Sequence, residues 1–83
     1  MISQHDFDEL CGQLESLREL MRVDPHIALT RIDALATEAS AMRERATDTA
    51  FEPAITSIQG LLTSLRRGVA ARATLADCAR RAA

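Results

Sequence analysis

Three runs of apolar residues, spaced alternately three and four positions apart and separated by only two breaks, constrain this chain more than any other feature. Such spacing returns side chains to one face of a helix that turns 100° per residue, whereas a strand would scatter them over both faces. The first run is Phe7, Leu10, Leu14, Leu17 and Met21, with Cys11 on its flank. The second is Ala28, Ile32, Leu35, Ala39, Met42 and Ala46, with Leu29 and Ala36 beside it. The third is Phe51, Ile55, Ile58, Leu62, Leu65 and Val69, broadened by Ala54 and Leu61. On a helical wheel each run lies within about 140°. Alanine is abundant while glycine, proline and aromatic residues are scarce, which favours helix over sheet.

The breaks set the order of elements. Asp24-Pro25 stops one helix, because proline disfavours α geometry in the residue before it. The same pair starts the next, with Asp24 as N-cap and Pro25 at the first position. So short a link makes antiparallel neighbours. The second break is Thr47-Asp48-Thr49, where Thr49 and Glu52 fit a capping box. The spacing predicts helices over 4–22 and 25–46, with a third from 50 to somewhere between 67 and 81. The expected fold is all-α, a small antiparallel three-helix bundle made of a helical hairpin plus a third helix. Leu14 and Ile58 are taken as stripe centres, where an aspartate would unfold the chain.

Gly68 after Arg66-Arg67 has the signature of a C-cap with cations against the helix end. We therefore divide the chain into a bundle, 1–67, and a basic helical or frayed tail, 68–83, whose last ten or so residues must overhang, fold back or fray. A third helix reaching residue 81 would be about 48 Å long, against about 33 Å for the second.

No catalytic residue, metal site or cofactor site is expected. His5, Asp6, Asp8 and Glu9 cluster near the start, but acids there complement the helix dipole, and the paired Glu-x-x-His motifs of di-iron bundles are missing. Neither Cys11 nor Cys78 has a histidine placed to act as its base, and no Gly-rich phosphate loop occurs. The cysteines show no metal-type spacing, so free thiols in a reducing cytoplasm are expected. No signal peptide is visible and no apolar run approaches the ~20 residues that span a bilayer. The tail's apolar face is alanine, which inserts poorly into membranes. All ten basic residues are arginine, a usage we read as codon bias of a GC-rich bacterial genome.

Charge is divided unevenly. Through Glu52 eleven acidic residues face five arginines, while from Pro53 onward only Asp77 faces five arginines. A basic segment at 69–81 could imitate a recognition helix on nucleic acid. Overall acidity and the lack of stacking aromatics make a solvated tail the better reading. Glu15 with Arg18 and Glu19 with Arg22 are expected as surface pairs along helix 1.

Recognition of another protein remains, through a helix of the partner or by pairing with a second copy. The residues assigned to that surface are the off-stripe Ile2, Leu20 and Ile27, together with Arg66, Arg67, Val69, Arg72, Leu75, Arg80 and Arg81. An adaptor, a secretion-type chaperone or an anti-activator is the expected class.

Overall fold

One residue both ends the first helix and begins the second. In the computed structural model, which describes residues 2–82, the Asp24 backbone N–H donates to the Leu20 carbonyl at 2.9 Å and closes α1 (Gln4–Val23). Its carboxylate accepts from the backbone N–H groups of His26 at 3.0 Å and Ile27 at 3.3 Å, capping α2 (Pro25–Arg45). Two helices joined through one extended residue fold back on each other. The second turn has Asp48 at φ 65, a left-handed conformation that aspartate tolerates better than most residues. It leads into α3 (Glu52–Ala82). The capping pattern there is shifted by one residue. Thr49 Oγ1 accepts from Phe51 N–H as a cap should, but Glu52 accepts from Asp48 N–H at 2.9 Å. The Thr49 N–H is already used by the Ala46 carbonyl.

The expected all-α bundle is what forms, with an uneven arrangement of its helices. α2 packs along both α1 and α3, while α1 and α3 approach each other little. Cross-links between α2 and α3 fix an antiparallel register: Ser40 with Gln59, Asp33 with Arg66 and His26 with Asp77. The position rises on one helix as it falls on the other. All six residues of the α2 stripe are buried, from Ala28 to Ala46. In α1 only Leu10 and Leu17 are fully enclosed, and in α3 the enclosed residues are Ile55, Leu62, Val69 and Ala73. A helix with two neighbours buries its whole stripe, whereas one with a single neighbour buries the edge of the stripe that faces it.

Three expectations need correction. Leu14 and Ile58 are half-buried, not stripe centres, because the lines facing α2 run through Leu10 and Leu17 and through Ile55 and Leu62. Gly68 lies inside α3, and burial continues to Val69 and Ala73, so packing carries past the expected end of the bundle. Of the two surface pairs expected on α1, Glu19–Arg22 forms at 3.6 Å; no Glu15–Arg18 pair forms among the described residues. The expected tail, 68–83, is helical as far as Ala82, and Ala83 lies outside the described residues.

The result is a rod, 52 × 17 × 14 Å, with a Cα radius of gyration of 14.8 Å. A compact domain of 83 residues has about 12 Å. Its surface is 5594 Å². A compact monomer of this size exposes about 4,900 Å².

Candidate interaction surface

The seven-residue repeat splits each outer stripe into two rows. On α1, Leu10 and Leu17 are buried against α2, while Phe7, Leu14 and Met21, also seven apart, are half-buried. On α3, Ile55, Leu62 and Val69 are buried, and Ile58 and Leu65 sit half-buried beside them. The half-buried rows form the two walls of the space between α1 and α3. At one end Phe7 and Phe51 close that space, with ring centroids 5.4 Å apart and planes tilted by 32°. Beyond them it opens into a groove of about 270 Å³ lined by Leu14, Met21, Leu61 and Leu65, with Glu15 and Arg18 on its rim. Leu61 is 49% exposed.

A second depression of about 280 Å³, with an equally apolar lining, lies on the other side of α1, against α2. Leu17, Leu20 and Val23 supply its apolar wall, and Gln13, Glu19 and Arg31 surround it. Two exposed aliphatics, Val23 and Ile27, flank the adjacent turn.

The residues assigned from the sequence are therefore not one surface. Ile2 is buried at 5% exposure and is withdrawn from the partner-facing set. It precedes the N-cap Ser3 and joins the same apolar cluster as Phe7, the arrangement of a hydrophobic staple. Val69 is also core, at 3% exposure, because its side chain lies on the line that faces α2. Leu20 is half-buried and Ile27 exposed, at the α1–α2 turn. Arg66 is engaged within the fold, its Nε donating to Asp33 at 2.8 Å, and that contact raises its pKa above the ordinary arginine value. Arg80 reaches Asp77 at 3.4 Å, while Arg67, Arg72, Leu75 and Arg81 are exposed. Sequence reasoning counted Leu14, Met21, Leu61 and Leu65 as core and so missed the groove they line. The signal present in the sequence was Leu61, a large apolar residue that extends the α3 stripe beyond its three-four line.

Polar clusters at the ends of the rod are accounted for by the fold. Asp6 and Ser3 make a reciprocal capping box, with both bonds at 3.2 Å. The Ser3 backbone N–H and then its hydroxyl hold the Asp6 carboxyl below the ordinary aspartate value. Asp8 accepts from the Gln4 amide at 2.9 Å. His26, expected to face solvent, is half-exposed with its Nε2 3.1 Å from Asp77 Oδ1, tying the end of α3 to the start of α2. Cys11 is partly buried and Cys78 exposed, both as free thiols. Among the described residues no group of three or more His, Cys, Asp or Glu could hold a metal ion. No helix there is long and apolar enough to cross a membrane.

Comparison with known protein families, with curated proteins and with solved structures finds no match.

Proposed function

We propose that this protein is a non-catalytic helical interaction module of the cytoplasm, whose α1–α3 groove takes up an amphipathic helix. The observation that carries the reading is the open groove itself. α1 and α3 both rest on α2, and their half-buried leucines and Met21 face each other across a gap they do not fill. A fourth helix there would complete the bundle, because antiparallel bundles close when each apolar edge meets a neighbour. A partner contributing Leu or Met at i, i+3, i+4 and i+7 matches walls built from heptad rows. Glu15 and Arg18 on the rim favour a helix carrying charge of both signs along its edges. An adaptor, a chaperone or an anti-activator works in this way, by covering a helix of its target. Nucleic-acid binding is less favoured, since Arg66 and Arg80 already engage Asp33 and Asp77.

Site-specific photo-cross-linking tests the proposal. A benzophenone amino acid replaces Leu61 or Arg18 on the groove, or Thr37 on the exposed outer face of α2. Protein adducts are expected from positions 61 and 18 and not from 37. Equal yields at all three positions, or none at the groove, would refute it.

A further inference from the structure

We infer that the occupant of the groove is the C-terminal part of α3 from a second copy of this chain, so that two copies pair antiparallel along their third helices. The inference rests on the reading of the groove as a helix-binding site and names its occupant.

The first argument is the pattern along α3. A row beginning at Ile58 continues through Leu61, Leu65, Gly68, Arg72 and Leu75 at alternating spacings of three and four. Gln59, Arg66 and Asp77 bond to α2 from the other side of the buried line, so this row is turned away from α2. It runs on past the groove, and Leu75 is 68% exposed, the more exposed of the two leucines in the row that face solvent. The row is also close to symmetric about Gly68. A two-fold axis there sets Leu61 opposite the partner's Leu75, with Leu65 opposite the partner's Ala71, next to the partner's Arg72, and Ile58 opposite the partner's Cys78, next to the partner's Ala79. Self-complementarity of this kind is what an isologous interface requires. At the axis itself stands a glycine with open space around the position of a Cβ, so two helices can approach closely there.

Charge selects the direction. As a whole α1 carries five acidic residues against Arg18 and Arg22, with Glu15 and Arg18 on the rim of the groove, and the last turns of α3 carry Arg72, Arg80 and Arg81. Antiparallel pairing lays the basic end of one copy along the acidic helix of the other. Parallel pairing would set each arginine cluster against its own copy.

Analytical ultracentrifugation of the full chain across a wide concentration range is the test. The wild type is expected to sediment as a dimer, and Leu61→Glu and Leu75→Glu are each expected to weaken association at least about tenfold with helicity unchanged. Both side chains are largely exposed, so neither change is expected to unfold the monomer. In a Cys11→Ser, Cys78→Ser background, the Leu61→Cys, Leu75→Cys double variant is expected to oxidise to a covalent dimer. Leu61→Cys alone is expected to give none, because the axis would hold its two copies about 20 Å apart. A monomer at every concentration, or a dimer indifferent to Leu61→Glu, overturns the inference. Cross-linking by Leu61→Cys alone overturns the register. A monomer whose position 61 still photo-cross-links to a different protein removes self-pairing and leaves the groove's role standing. A monomer with no adduct removes both.

Discussion

Leu35→Ala probes the assignment of α2 as the helix on which the others rest. Leu35 is 1% exposed at the middle of the one helix that packs against both neighbours. Removing three buried carbons loses about 2.4 kcal/mol of transfer free energy, to which an unrelaxed cavity adds. The rod is only 17 × 14 Å in cross-section, so no core residue lies far from solvent and the site can partly collapse. That places the expected loss near the lower part of the measured range, at about 3 kcal/mol. Total stability for 83 residues is about 4–12 kcal/mol. A loss of that size lowers the melting temperature by about 12–24 °C in a domain this small. Thermal melts by circular dichroism at low protein concentration measure it, with Ile27→Ala as the control because Ile27 is 53% exposed. A fall of under about 5 °C for Leu35→Ala, or one no larger than that of Ile27→Ala, would refute the placement of α2.

Three further outcomes are expected. Ile2→Ala should cost about 2 kcal/mol by chemical denaturation, because Ile2 belongs to the core; an effect within about 0.5 kcal/mol would return it to the surface. Asp48→Gly should hold or slightly raise the melting temperature, while Asp48→Ile should lower stability by about 1–2 kcal/mol, since only glycine takes φ 65 freely. Truncation after Arg67 should cost at least about 2 kcal/mol by removing the buried Val69 and Ala73, whereas truncation after Ala79 should leave the melt nearly unchanged. Equal stability of the two truncated chains would show that the fold ends at Gly68.

What could be read from the sequence follows from how many neighbours each helix has. The α2 stripe was legible residue by residue, because a helix held on two sides buries its whole apolar arc. On α1 and α3 the same arc divides into a covered line and an uncovered edge, and periodicity alone does not say which edge stays open. Leu14, Met21, Leu61 and Leu65 were therefore legible as apolar and helical, but not as the walls of a groove. Ile2 was misplaced because a helical wheel was extended through a residue that precedes the cap. The Ser3–Asp6 box, with apolar residues at 2 and 7, carried the correct signal. Gly68 was read from local chemistry as an end. Packing of Val69 and Ala73 outweighs the ~1 kcal/mol that an interior glycine costs a helix.

The lopsided packing also predicts how the molecule breathes. Every side-chain hydrogen bond between helices among the described residues joins α2 to α3, and none joins α1 to either. The first helix is held by apolar burial, the Asp24 hinge and the Phe7–Phe51 contact. Units held by fewer contacts open at lower free energy than the rest of a native protein. Amides of α1 should therefore exchange with solvent as a group, faster than those at the centres of α2 and α3. α1 is then a hinged leaf on a stable hairpin, and a groove with one movable wall can adjust its width to the helix it receives.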